Sequence, residues 1–203
     1  MEILDSYYTI EGNNVVTLKV NRSNFIAQAF PVESDKEILK VLENVKKKYY
    51  NAGHHPFAYR IGLEKINFKT NDDSEPAGTA GKPILEVIDK FYLTNVLVVV
   101  TRYFGGVKLG VGGLRRAYFD AAEECIKSAK IIERFLYKNL KIEFEYKFMN
   151  GVMKLLEDEN VKINKNESDE KVKLNCEVRL LKTNKIKEDL VNITNGTVKI
   201  SST

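Results

Sequence analysis

The segment TRYFGGVKLGVGGLRRAY, residues 101–118, places Gly105, Gly106, Gly110, Gly112 and Gly113 within nine positions. Arg102, Lys108, Arg115 and Arg116 surround them, and no acid occurs between Lys90 and Phe119. A glycine-rich turn feeding a helix leaves backbone amides pointing outward, and the helix dipole adds partial positive charge. Cations in a first helical turn oppose that dipole, at about 0.3–1 kcal/mol per charge, which points to a duty other than helix stability. These nine residues form the candidate anion- or nucleic-acid-binding set. The alternative is that the glycines supply left-handed turns and close packing while the cations stay solvated.

A second segment, NDDSEPAGTAGKP at 71–83, joins Asp72, Asp73 and Glu75 to Thr79 and Lys82. Carboxylates this close suit Mg²⁺ or general-base work. They equally suit a polar turn in which Asp73 and Ser74 cap amides. The only histidines, His54 and His55, adjoin a strand-like run, so at most one of them faces any given site. No serine elbow, HExxH or base-paired cysteine accompanies them. His54, His55, Asp72, Asp73, Glu75, Thr79 and Lys82 are therefore carried as a possible cleft, with no catalytic residue, metal site or cofactor assigned. Two phosphate motifs fail on inspection. From Gly110 a dinucleotide fingerprint needs glycine where Arg115 stands, and GTAGKP at 78–83 has its first glycine two residues too close, with Pro83 in place of Ser or Thr.

The elements that must hold these segments are legible from periodicity. TIEGNNVVTLKV (9–20) reads as a hairpin across Gly-Asn-Asn, and NFIAQAFPV (24–32) as a strand. Ser34 and Glu37 form a capping box, opening a helix with Ile38, Leu42, Val45 and Tyr49 on one face and Lys46, Lys47 and Lys48 near its end. PFAYRIG (56–62) is a strand, ILEVIDKF (84–91) a helix entered through Pro83, and LVVVTRYF (97–104) a central strand. A helix spans about 112–130, burying Leu114, Tyr118, Ala121, Cys125 and Ala129. Strands at 139–147, on both sides of Ser168-Asp169-Glu170 and at 197–202 alternate with helices at 151–159 and 182–193, the β-α-β-β-α-β order of a ferredoxin-like unit.

The 203 residues fit one large domain or two modest ones. Thirty-two basic against 28 acidic residues give a net charge of +4, too mild to argue for nucleic acid by itself. Cys125 and Cys176 have no metal-ligand or disulfide-framework spacing and read as reduced thiols. With no apolar secretory leader and an apolar run at 95–100 far too short to span a bilayer, the expectation is a cytoplasmic protein with no membrane partner.

DDSEPAGTAGKP (72–83) and RYFGGVKLGVGGLRRAY (102–118), preceded by GHH at 53–55, closely resemble the Impact/YigZ family over nearly the whole chain. The resemblance implies an α+β protein. Its N-terminal α/β domain (1–135) would be of the type found in a ribosomal small-subunit protein, elongation factor G domain IV and small-molecule kinases. Its C-terminal ferredoxin-like domain (136–203) would be similar to one in elongation factor G. The resemblance also implies a role in regulation of translation, because eukaryotic relatives bind the activator of an amino-acid-starvation kinase. The chain departs from the family at Ser74, where glycine is usual, and at Asn24 of Arg22-Ser23-Asn24-Phe25, where a cation is usual. The leading expectation is a non-enzymatic, translation-associated binding protein that meets RNA or ribosome phosphates through the glycine segment. The alternatives are an enzyme acting on a phosphorylated small molecule or nucleotide, with His54 or His55 and Asp73 or Glu75 transferring protons, and a regulator that binds a protein partner.

Overall fold

In the computed structural model, which describes residues 5–63, 67–167 and 169–202, the apolar run 96–100 is buried on both faces. It belongs to β6 (Val96–Tyr103), the middle strand of an antiparallel sheet. The others are β2 (Asn14–Val20), β3 (Ser23–Pro31), β4 (Phe57–Ile61) and β5 (Asn67–Asn71), in the order β2-β3-β6-β4-β5. Because strand side chains alternate, Val96, Val98 and Val100 enter a core with α2 (Gly81–Lys90) and α3 (Gly110–Ser128). Leu97 and Val99 point the other way, onto α1 (Asp35–Lys48). A strand covered on both faces reads as a continuous apolar run, as this one does.

Ser34 caps α1, its Oγ accepting from the Glu37 amide at 3.3 Å, while Glu37 reaches back to the Glu33 amide at 2.8 Å. The two helices flanking the glycine segment differ modestly from their expected bounds. The first begins at Gly81, before Pro83, and α3 runs two residues earlier at both ends than its pattern suggested.

The expected hairpin at 9–20 is not formed. Gly12 does turn the chain, with φ of +76°, but β1 (Ser6–Ile10) pairs with β7 (Ile131–Phe135) in a separate two-stranded sheet. Strand β2 pairs instead with β3, through a tight turn in which Asn21 and Arg22 both have positive φ. The Gly-Asn-Asn signal correctly marks a reversal of the chain. It carries no information about which strand supplies the hydrogen-bonding partner.

The chain divides into two compact units, Tyr7–Arg134 and Phe135–Thr203, and the second also takes in Asp5 and Ser6. In the second unit β8 (Tyr137–Phe144), α4 (Met149–Asp158), β9 (Lys162–Asn166), β10 (Val172–Arg179), α5 (Thr183–Ile193) and β11 (Lys199–Ser202) follow one another. The sheet order is β11-β8-β10-β9, with antiparallel neighbours. This is the ferredoxin-like arrangement that the element order implied. Its core joins Leu140, Ile142 and Phe144 to Val152, Leu156, Ile186 and Leu190. Asp5 is tied to this unit by Arg179, whose Nε and Nη2 donate to its carboxylate at 3.0 and 3.1 Å. Among the described residues no helix is long and apolar enough to cross a membrane. Both cysteines are buried and unpaired, and burial pushes each thiol up to about 11.

Candidate functional site

Within the Tyr7–Arg134 unit, the glycine segment leaves the end of β6 and enters α3 beside the loop that follows β5. Three of its glycines are explained by backbone geometry. A Cβ on Gly105 would lie 2.1 Å from the Arg22 carbonyl, so only glycine lets this loop touch the β2–β3 turn. Gly106 and Gly110 have φ of +82° and +71°, which favours glycine. Gly113 packs against Leu109, where an added Cβ would come within 3.2 Å. Gly112 is different: its φ is ordinary and the space beside it is open.

The cations are divided between two duties. Arg102 is buried, and its Nη1 donates to Glu75 Oε1 at 2.7 Å. The same oxygen accepts from the Tyr118 hydroxyl at 2.7 Å. Burial, then this hydrogen bond to a carboxylate, raises the Tyr118 pKa far above the ordinary phenol value, so Tyr118 remains a neutral donor. Arg115 donates through Nη2 to both carboxylate oxygens of Glu86 at 2.6 and 2.8 Å. Arg116 is solvent-facing, 3.5 Å from Asp120, and Lys108 is exposed.

The acidic loop has its own anchoring. Asp72 accepts from the amides of Gly78, Ala80 and Gly81 at 2.9, 3.0 and 2.8 Å, capping the entry to α2. Burial works to raise its pKa, but the Gly78, Gly81 and Ala80 amides outweigh it and hold the carboxyl below the usual range. Asp73 Oδ2 accepts from the His55 amide at 2.7 Å, with Lys46 3.5 Å from Oδ1. The Asp73 carbonyl lies 2.9 Å from His54 Nδ1, which therefore carries the proton and leaves Nε2 3.9 Å from Glu75 Oε1. His55, which like His54 precedes β4 and lies outside it, points elsewhere: its Nδ1 is 3.0 Å from Thr101 Oγ1. Burial lowers the His55 pKa, against the opposing pull of Asp73, so the ring is held neutral. Thr79 is buried and donates to the Pro76 carbonyl at 2.6 Å, whereas Lys82 is exposed on α2.

The two segments meet. A cleft of about 320 Å³ is lined by Glu75 and Pro76 from the acidic loop, by Arg102 and Phe104 from the end of β6, and by Lys108, Leu109, Gly110, Val111 and Leu114. Of the expected anion-binding set Gly105, Gly106, Gly112, Gly113, Arg115 and Arg116 lie outside this lining, and of the possible cleft residues only Glu75 belongs to it. Sequence reasoning passed over the apolar wall. Phe104 is 56% and Val111 65% exposed, and the available signal was large apolar residues interleaved with glycines that no helical or strand periodicity accounts for. Helix α3 opens with no side-chain cap and no acid in its first turn, so its first amides are left for solvent or a ligand. Among the described residues no group of three His, Cys, Asp or Glu side chains is placed to hold a metal ion.

These features define an α+β chain of two units whose first unit carries a cleft at a glycine-rich helix entry. The Impact N-terminal domain model matches residues 21–126, and the chain belongs to the Impact family. The family member YvyE of Bacillus subtilis is 34% identical over 194 residues, covering 96% of this chain and 89% of the relative. The member YigZ of Escherichia coli is 29% identical over 145 residues, covering 70% of each. Protein IMPACT of Oryctolagus cuniculus is 35% identical over 98 residues, and this chain spans 31% of its length. A solved structure described as a hypothetical protein shares the fold, with a TM-score of 0.72 at 24% identity over 99% of this chain and 98% of that one.

Proposed function

We propose that this protein is a translation-associated binding protein, whose cleft between the acidic loop and the start of α3 meets phosphates of RNA or of the ribosome. The observation that carries the reading is the entry of α3. This 19-residue helix has no cap and no first-turn acid; Lys108, two residues before it, lines the cleft, and Arg116 stands exposed on its second turn. Free amides, helix dipole and the exposed Lys108 ammonium act together on an anion. Such contacts give affinity without sequence readout. The carboxylates favour binding over catalysis: Asp72 is taken up by three amides, Asp73 by the His55 amide and Glu75 by Arg102 and Tyr118.

The test is co-sedimentation with ribosomes across a salt series, beside a Lys108→Ala/Arg116→Ala variant. Binding that weakens with salt, with a log–log slope of about −0.7 to −0.9 per phosphate contact, and that drops in the variant supports the reading. Binding indifferent to both salt and the substitutions would sink it.

A further inference from the structure

The cleft has two chemically distinct walls, and a bare phosphate uses only one of them. We infer that it receives one unpaired nucleotide of an RNA strand, with the base against Phe104 and Val111 and the phosphate at the amino end of α3 beside Lys108. This rests on the phosphate-binding reading above and names the chemistry that the same cleft recognises.

Three observations support it independently. First, Phe104 projects from the end of β6 with more than half its surface exposed, yet it is not loose: the Arg102 guanidinium carbon lies 5.4 Å from its ring centroid. The same guanidinium sits 5.5 Å from the buried Phe25 ring and is fixed by Glu75. A ring held on a buried cation with its remaining surface open is a rigid stacking platform for a base. Secondly, Arg102 lines the cleft but its charge is already taken by Glu75, so this wall has no spare cation for a phosphate, which is left to Lys108 and the helix end. Thirdly, the cleft volume of about 320 Å³ lies at the small end of the range for small-molecule sites, roughly 300–1,000 Å³. That suits a single nucleotide and is too small for a stacked run of bases.

Duplex RNA does not fit this chemistry. Its bases are paired and stacked, and it presents mainly phosphates and 2′-hydroxyls. It reaches Lys108 and the helix end but leaves Phe104 unused. A free mononucleotide carries the same base and phosphate, but a strand adds backbone contacts at the exposed Arg116, so the strand is the expected ligand.

The experiment is fluorescence-anisotropy binding of labelled hexauridylate to the full chain, with a 12-base-pair RNA duplex and uridine monophosphate as competitors. Phe104→Ala should weaken hexamer binding about 5- to 150-fold, the range expected for losing one base–aromatic stack, without changing the salt slope. Phe104→Tyr should retain binding, and the thermal transition of each variant checks that the fold is intact. Lys108→Ala should flatten the salt slope by about 0.7. Hexamer binding unaffected by Phe104→Ala, or competition by duplex as strong as by unlabelled hexamer, overturns the inference. Uridine monophosphate that competes as strongly as the hexamer overturns the strand assignment. Ribosome binding that falls in the Lys108→Ala/Arg116→Ala variant and is untouched by Phe104→Ala overturns only the stacking inference. The phosphate-binding reading then stands.

Discussion

Glu75 and Arg102 form a pair whose removal should be felt throughout the Tyr7–Arg134 unit. Their side chains are 3% and 7% exposed, with Nη1 and Oε1 2.7 Å apart. Glu75→Gln keeps an oxygen for Arg102 and Tyr118 and removes only the charge, leaving the guanidinium buried without its counter-ion. Two unit charges about 4 Å apart at an effective dielectric of about 20 interact by about 4 kcal/mol. Breaking one side of a buried pair typically costs about 3–5 kcal/mol. Allowing for the neutral hydrogen bonds that glutamine retains, a loss of about 3 kcal/mol is expected. At about 2–4 °C per kcal/mol for a chain of this size, the melting temperature should fall by roughly 6–12 °C. Urea titration followed by circular dichroism should show the midpoint moving with little change in slope. Arg102→Met should lose a similar amount, and the double variant should lose less than the sum, with a coupling of about 0.5–3 kcal/mol. Because the pair is buried, 1 M salt should barely reduce the effect. A Glu75→Gln variant within about 0.5 kcal/mol of the parent, or strict additivity in the double variant, would refute the reasoning.

Further outcomes are expected from the neighbouring loop. Asp72→Ala leaves three amides of the α2 entry without their acceptor; at about 1 kcal/mol or more per charge-assisted bond the loss should reach about 2–4 kcal/mol, measured by the same titration. Ser74 has φ of +70°, so Ser74→Gly should stabilise by about 0.5–1 kcal/mol, the left-handed penalty of about 1–2 less glycine's entropy cost of about 0.5–1; a lower melting temperature would mean that Ser74 makes a contact worth more than its backbone strain. His55 is held neutral by burial, so its folded pKa lies below the unfolded value of about 6.5. The unfolded state then binds the extra proton, and stability should decline as pH falls below about 6.5. His55→Gln should flatten that decline between pH 7 and 5; an unchanged profile would place the titration elsewhere. Asp72, whose folded pKa is also depressed, adds a further loss only below about pH 4.

Much of the scaffold was legible because it rests on local physics. The Ser34 cap, the doubly buried β6 and the alternation in β8 and β10 each follow from residues within a turn or a strand of one another. What stayed hidden was non-local. Nothing near Arg102 in sequence reveals that Glu75, 27 positions away, takes its charge, so a residue that reads as a phosphate contact is buried in a pair. The partner of β1 was hidden in the same way. Ser74, which the sequence marked only as a departure from the resemblance, has a left-handed backbone with φ of +70°, a conformation its neighbours in sequence do not announce. Phe104 and Val111 left only an indirect trace, apolar residues set among glycines, because side-chain exposure is a property of the whole surface.

The pairing of β1 with β7 constrains the order in which this protein is made. Ile10 at the end of β1 is fully buried in the main core, yet the strand's hydrogen-bonding partner lies at Ile131–Phe135. A nascent chain growing at about 5–20 residues per second makes that strand only roughly 6–24 s after the first one, although the Tyr8 carbonyl can accept from the Thr94 amide, at 3.0 Å, before then. The five-stranded sheet is in the chain much earlier, because its last strand ends at Tyr103. The β1–β7 seam is thus the last part of this unit that can close, and the sheet can form first, with the seam sealed as the second unit begins to be translated.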